Sequence, residues 1–347
     1  MSQIDLNKLL RDNIKQLKPY SSARDEFSGT ASVFLDANEN PYNEPYNRYP
    51  DPLQRELKAR ISTIKGVDPS RIFLGNGSDE PIDLLFRAFC EPGKDNIVAM
   101  EPSYGMYTVA ADINNIKVKP ALLNGDYSLN TDTVLDAVDE DTKLIFLCSP
   151  NNPTANLLKK EAIEPILDRF KGLVIIDEAY IDFAPEATWL NQLDKYPNLV
   201  VLQTFSKAWG MAAIRLGMAF AAIEIIQVLN KIKYPYNLNI LTQQKAMELL
   251  KDDVKKTNWV DAILKERERL KGELLNIPYV EKIYPSDANF LLVKVKDADG
   301  IYHKLIDNSV IIRNRSRVKL CEGSLRITVG TPEENTKLVT ALNTLKA

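Results

Sequence analysis

The sequence predicts an α/β protein: a doubly wound, mainly parallel sheet in one large unit, followed by a smaller α+β unit. Three observations lead there. Short, largely apolar runs at 72–74, 97–100, 143–148, 173–176 and 198–203 alternate with helical stretches, the pattern of parallel strands buried on both faces. Each run breaks at its carboxyl end into a polar cluster, and in doubly wound sheets ligands sit beyond those ends. After Arg215 the character changes to charged helices and scattered strands. A chain of 347 residues fits two such units. The expected division is an N-terminal arm over 1–30, a large unit over 49–237, and a small unit made of 31–48 with 238–347.

The totals narrow the function. Hydrophobic residues at 45% and charged residues at 26% are those of an ordinary globular protein. Lys+Arg at 44 against Asp+Glu at 47, net charge -3, leaves no basic footprint for nucleic acid. No apolar run is long enough to span a bilayer, and residues 1–11 lack the apolar stretch of a signal peptide. Cys90, Cys148 and Cys321 are widely spaced and form no Cys-x-x-Cys motif, which fits a reduced cytoplasm and gives no zinc site. The single histidine, His303, sits beside Lys304 in a helical stretch and is expected at the surface. Hydrolysis through a histidine base is therefore not supported, and other groups must move protons.

In order, the first 30 residues read as a short amphipathic helix and a loop carrying Pro19-Tyr20-Ser21-Ser22-Ala23-Arg24. They hold little apolar surface of their own and must lie on something else, a partner subunit being one candidate. Val33-Phe34-Leu35 is expected as a short strand before the turn-forming Asp36–Tyr42, and the Pro-bounded loop 47–52, with Tyr49, leads into a helix over 53–64. The run at 72–74 meets Gly75-Asn76-Gly77-Ser78-Asp79 and then a helix with Ile82, Leu84, Leu85, Ala88 and Phe89 on its apolar positions. Glycines entering a helix N-terminus expose N–H groups suited to a phosphate. No Gly-Lys-Ser/Thr follows, so this is not a Walker A loop. Helices are expected around 104–112, 131–138 and 160–170, between runs ending in Glu101-Pro102-Ser103-Tyr104, Ser149-Pro150-Asn151-Asn152-Pro153-Thr154 and Asp177-Glu178-Ala179-Tyr180. Beyond Arg215 the pattern gives a strand over 216–221 and helices over 223–233, 243–250 and 252–275. Strands over 289–295, 310–312 and 325–329 follow, with helices over 298–307 and 333–346.

The chemistry gathers at the end of the run 198–203, where Thr204-Phe205-Ser206-Lys207 is followed eight residues after the lysine by Arg215. Hydroxyls and a guanidinium suit a phosphate, and Lys207 suits an imine with an aldehyde, so pyridoxal phosphate is the candidate. The plain alternative is a helix N-terminus capped by Ser206 with Lys207 in solvent. Asp177 tips the balance, because a carboxylate ending an apolar strand is costly unless paired, and pyridoxal phosphate needs one to keep its pyridine nitrogen protonated. An N-cap or a buried ion pair is the alternative for Asp177. Tyr180 and Asn152 can bond the phenolic oxygen, and Tyr104 can stack on the ring. A metal at Asp177 and Glu178 lacks further ligands at sensible spacing. Arg313 and Arg326, each in or beside a strand, suit an anionic substrate, with interdomain salt bridges as the alternative.

These residues resemble the fold-type I, class II pyridoxal-phosphate aminotransferases, and within them the histidinol-phosphate aminotransferase family. The resemblance runs through nearly the whole chain, from Asp36-Ala37-Asn38-Glu39-Asn40-Pro41 and Arg48-Tyr49-Pro50-Asp51 to Pro285-Ser286-Asp287-Ala288-Asn289-Phe290 and Leu325-Arg326-Ile327-Thr328-Val329-Gly330. It implies that Lys207 carries the cofactor and shuttles a proton, that Asp177 pairs with the pyridine nitrogen, and that Asn152 and Tyr180 bond the phenolic oxygen. It implies too that Tyr104 stacks on the ring. The Ser78-Asp79 backbone, Thr204 or Ser206, and Arg215 would hold the phosphate, with Tyr49 reaching it from the other subunit of a homodimer. Arg326 would bind the carboxylate of glutamate, and Arg313, Arg326 and Tyr20 the phosphate of histidinol phosphate, in a ping-pong exchange with 2-oxoglutarate in histidine biosynthesis. Threonine-phosphate decarboxylases and aromatic-amino-acid aminotransferases of the same fold are the enzyme alternatives. A regulator with this fold would need a DNA-binding module for which the first 30 residues are too few. One departure is Ala155, where the family usually has glycine; a left-handed turn there would cost about 1 kcal/mol.

Overall fold

The computed structural model describes residues 5–20 and 32–345. Strands β1 (Ile72–Asn76), β2 (Asn96–Glu101), β3 (Lys117–Leu122), β4 (Thr142–Cys148), β5 (Leu173–Asp177), β6 (Leu199–Thr204) and β7 (Leu216–Phe220) form one sheet. Its order is β1-β7-β6-β5-β4-β2-β3. All neighbours run parallel except around β7, which is antiparallel to both β6 and β1. The sheet is doubly wound because successive side chains leave a strand on opposite faces. Leu144, Phe146, Leu173, Ile175, Val200 and Leu202 pack into one apolar core, and Ile145, Leu147, Val174, Ile176, Leu199 and Val201 into the other. The antiparallel β7 has a consequence for chemistry. Arg215 precedes its first residue, and the register Thr204↔Gly217 puts Arg215 at the edge where β6 ends.

A second sheet is antiparallel throughout, in the order β10-β11-β9-β8, from β8 (Val280–Ile283), β9 (Phe290–Val295), β10 (Arg313–Asn314) and β11 (Ser324–Thr328). Helices Ala298–Asp307 and Pro332–Thr344, with the end of helix Asp253–Leu274, cover it over a third core that includes Leu270, Leu291, Leu305 and Leu338. The last helix starts with a capping box, Thr331 bonding Glu334 N and Glu334 bonding back. His303 is exposed.

Several expectations change. Val33-Phe34-Leu35 is not a strand; Val33 and Leu35 are exposed and, among the described residues, no strand pairs with them, and β propensity needs a pleated neighbour to act on. The strand expected over 310–312 begins only at Arg313, with Ile311 exposed. Two strands escape the sequence pattern. β3, Lys-Val-Lys-Pro-Ala-Leu, is an edge strand whose lysines and proline are edge features, and β8 is a half-exposed edge with no buried residue. The N-terminal segment forms two short helices, Leu6–Leu9 and Asp12–Gln16, instead of one. They lie on the large sheet's own layer: Arg11 N donates to Ala88 O at 3.1 Å and Lys231 Nζ to Ile14 O at 2.7 Å. Residues 21–24 of the N-terminal motif lie outside the described residues.

Candidate active site

One pocket opens at the carboxyl edge of the parallel strands. Ser78, Asp79, Tyr104, Asn152, Asp177, Tyr180, Thr204, Ser206, Lys207 and Arg215 all line it. The reason is topological: each follows or closes one of β1, β2, β4, β5 and β6, or opens β7, and all six ends meet at the same rim. Of the residues singled out from sequence, Arg326 lies just beyond the lining, joined to it by Arg326 Nη1 donating to Asn152 Oδ1 at 2.6 Å. Arg313, Tyr20 and Tyr49 are exposed outside it, and Tyr49 stacks on Tyr236 with ring centroids 4.3 Å apart.

Asp177 continues the face of Leu173 and Ile175 and is buried among that core's side chains. Its Oδ2 accepts from the Tyr107 hydroxyl at 2.7 Å and its Oδ1 from Ala179 N–H at 3.1 Å. Burial pushes its carboxyl up to about 6, while those two bonds pull it down. Tyr107 was not singled out by sequence. It sits on helix Met106–Ile113, stacks on Phe146 at 4.8 Å and meets Tyr104 edge-on at 5.6 Å. Tyr104 in turn donates to Asp79 Oδ1 at 3.1 Å. Its apolar flanks made it look like any core aromatic.

Glu178, the next residue, points to the opposite face and is also buried. It accepts from Thr188 Oγ1 at 2.8 Å, Trp189 N–H at 2.5 Å and Gln203 Nε2 at 2.7 Å. These bonds tie the end of β5 to the end of β6, two residues that carry the pocket's carboxylate and hydroxyl being their immediate neighbours. Burial raises its carboxyl to about 7.

The rim where Gly77, Ser78 and Arg215 meet is built from close backbone approach. A Cβ on Gly217 would fall 2.2 Å from Gly77 C and from Ser78 N, and one on Gly77, where φ is +70, 2.6 Å from Arg215 Nη2. Only glycine lets the Ser78 amide, the start of helix Asp79–Phe89 and the Arg215 guanidinium meet. Thr204 Oγ1 and Ser206 Oγ bond each other at 3.0 Å, and Arg215 pairs with Asp79 at 3.4 Å. Lys207 presents its amine to the pocket 5.6 Å from the Tyr180 ring centre. Desolvation lowers its pKa, with Arg326 adding to the effect.

Ala155 adopts φ +69 and is buried, so the unusual alanine does occupy a left-handed position, at about 1–2 kcal/mol. Its N–H donates to Asn151 O and its O accepts from Asp287 N, both at 2.8 Å. The Pro150–Thr154 and Pro285–Phe290 motifs therefore meet here and join the two sheets. Asn151, fully buried, adds bonds to Ser103, Pro102 and Thr154.

Residues 27–342 match the family described as aminotransferase class I and II. The chain belongs to that family. Its cofactor is pyridoxal phosphate, and this aminotransferase's residues fit the group. A buried carboxylate faces the pocket for a pyridinium, a lysine of lowered pKa faces it for the carbonyl, and the Gly77–Gly217 cradle leaves room where a Cβ would intrude. A histidinol-phosphate aminotransferase from Parabacteroides distasonis is 58% identical over 99% of this chain and 99% of its own. The crystal structure of a histidinol-phosphate aminotransferase from Clostridium acetobutylicum superimposes with TM-score 0.79 at 26% identity, covering 86% of this chain and 90% of that one. An L-threonine-O-3-phosphate decarboxylase from Porphyromonas gingivalis, 24% identical, gives TM-score 0.73 over 86% of this chain and 90% of its own. Fold alone thus does not separate transaminase from decarboxylase. No helix among the described residues is long and apolar enough to cross a membrane.

Proposed function

We propose that this aminotransferase moves an amino group between L-histidinol phosphate and 2-oxoglutarate, giving imidazole acetol phosphate and L-glutamate, in L-histidine biosynthesis. The observation that carries the reading is Lys207 and Asp177 facing one pocket, with the Arg326 guanidinium bonded to Asn152 at its edge. The near full-length relatives named histidinol-phosphate aminotransferases support the choice of substrate. Bound pyridoxal phosphate supplies an electron sink that makes the proton on the amine-bearing carbon removable. Lys207 would hold its carbonyl and would carry that proton at Nζ, desolvation shifting its amine toward the neutral form. Asp177 would keep the pyridine nitrogen protonated, Asn152 Nδ2 and the Tyr180 hydroxyl would bond the phenolic oxygen, and Tyr104 would cover the ring. The Ser78 and Asp79 N–H groups, Thr204, Ser206 and Arg215 hold the cofactor phosphate. Arg326 binds the glutamate carboxylate, and Arg313, Arg326 and Tyr20 the substrate phosphate.

The same reading makes the protein a homodimer in which Tyr49, exposed beside Tyr236, reaches the partner's cofactor phosphate. Residues 49–237 form its cofactor-binding domain, and 31–48 with 238–347 its smaller one, after an arm over 1–30. Three buried, unpaired cysteines support a cytoplasmic site of action. The test is the absorbance of the pyridoxal-phosphate-loaded protein. L-histidinol phosphate alone should convert the lysine-bound cofactor to its amine form, and 2-oxoglutarate should reverse it. A spectrum indifferent to histidinol phosphate, or carbon dioxide released from threonine phosphate, refutes the substrate. Lys207→Ala should bind the cofactor without turnover; normal turnover refutes the role of Lys207.

A further inference from the structure

A further guanidinium, that of Arg315, follows the ribbon that carries Arg313 and Arg326 and is not used by the reading above. In the β10–β11 ribbon Arg313 stands opposite Arg326, and the ladder continues with Arg315 N–H donating to Ser324 O at 2.8 Å. Residues directly opposite across an antiparallel pair share a face, and so do residues two apart on one strand. Arg313 and Arg326 therefore share one face of the ribbon, and Arg315, just past the end of β10 but still bonded across to Ser324, lies close enough to both to feel their charge.

Like charges so placed repel, yet among the described residues none of the three pairs with a carboxylate. Arg326 spends one N–H on Asn152 and lies 5.4 Å over the Phe290 ring. Arg315 is half-buried, and its Nε, shut off from solvent, has no acceptor among the described residues. Desolvation and its two arginine neighbours lower the pKa of Arg315, and burial lowers that of Arg326. Both guanidiniums also act on Tyr180, which lines the cofactor pocket. A half-buried cation with an unused donor beside two more cations is a cost in the empty protein that an arriving anion removes.

We propose that Arg315 is a third phosphate-binding arginine of the substrate site, and that it sets the preference for an amino-phosphate over an amino dicarboxylate. The chemistry follows from oxygen count. One bidentate guanidinium satisfies a carboxylate, whereas a phosphate monoester presents three outer oxygens and up to two charges and engages further donors. This rests on the transamination reading above.

The experiment compares wild type with Arg315→Gln and Arg315→Lys, all loaded with pyridoxal phosphate. KM for L-histidinol phosphate should rise roughly 10- to 100-fold in Arg315→Gln, the range of a lost hydrogen bond to a charged group. KM for L-glutamate should move much less, and Arg315→Lys should fall between. Inorganic phosphate, as a competitive inhibitor of the glutamate half-reaction, should weaken in parallel. Without ligand, Arg315→Gln should melt no lower than wild type, since it removes a repelled charge. Equal loss for both substrates, or a lowered melting temperature that accounts for the loss, assigns Arg315 to structure and overturns the proposal. So does unchanged KM with unchanged phosphate inhibition. A wild type that ignores histidinol phosphate but is inhibited by inorganic phosphate through Arg315 overturns the substrate and keeps the anion site.

Discussion

Tyr107→Phe removes one oxygen and keeps the ring that stacks on Phe146 and meets Tyr104. What is lost is the 2.7 Å bond to Asp177 Oδ2, leaving the buried carboxylate only the Ala179 N–H at 3.1 Å. A hydrogen bond to a charged group is worth about 1.5–3 kcal/mol, and a pKa unit is about 1.4 kcal/mol, so the carboxyl should rise by about one to two units. The rise starts from about 6. Binding a protonated pyridine needs the carboxylate ionised, so the cofactor must first displace any proton on Asp177. Taking a rise of about 1.5 units, the variant should bind pyridoxal phosphate about fourfold more weakly at pH 7, about fifteenfold more weakly at pH 6, and almost normally above pH 8.5. The assay is titration of cofactor-free protein with pyridoxal phosphate at several pH values, followed by absorbance, with melting curves as a check on folding. A loss that does not change with pH would show that the hydroxyl acts through packing, and no loss at all would show that it does nothing for Asp177.

Glu178 gives a stability test. Its folded pKa is raised from 4.5 to about 7, so the folded state keeps the proton longer than the unfolded chain. Its contribution is full below pH 4.5 and disappears as pH rises through about 7, on the order of 3 kcal/mol in all. Glutamine does not titrate, so in urea unfolding of the cofactor-free protein the advantage of wild type over Glu178→Gln should shrink across that window; a difference that stays constant with pH contradicts the assignment. Gly217→Ala puts a methyl 2.2 Å from backbone atoms of Gly77 and Ser78. It should lower stability by roughly 3 kcal/mol or more, and any folded fraction should bind pyridoxal phosphate poorly; a variant with wild-type melting temperature and affinity would mean β7 and the Gly77 loop do not meet as described.

The sequence alone carried the large sheet and most of the pocket. Strands buried on both faces must be continuous apolar runs, so β1, β2, β4, β5 and β6 announce themselves, and a polar residue that ends such a run has to be explained. That is why Asp177, Asn152, Thr204, Lys207 and Arg215 are legible in the sequence, and why their convergence follows from parallel order. Edge strands carry no such mark: β3 and β8 are half-polar because only one side of each is covered. Val33–Leu35 has the composition of a strand, but among the described residues no strand lies beside it. Tyr107, Glu178's three donors and Arg315 were hidden for a different reason. Their roles depend on which neighbour the fold supplies: Phe146 and Asp177 from strands 39 and 70 positions away for Tyr107, and the bond across the ribbon to Ser324 for Arg315. Residue type and periodicity report whether a side chain is buried. Only the tertiary structure decides what it is buried against, because hydrogen bonds and charge pairs act over a few ångströms between segments whose proximity the local sequence does not encode.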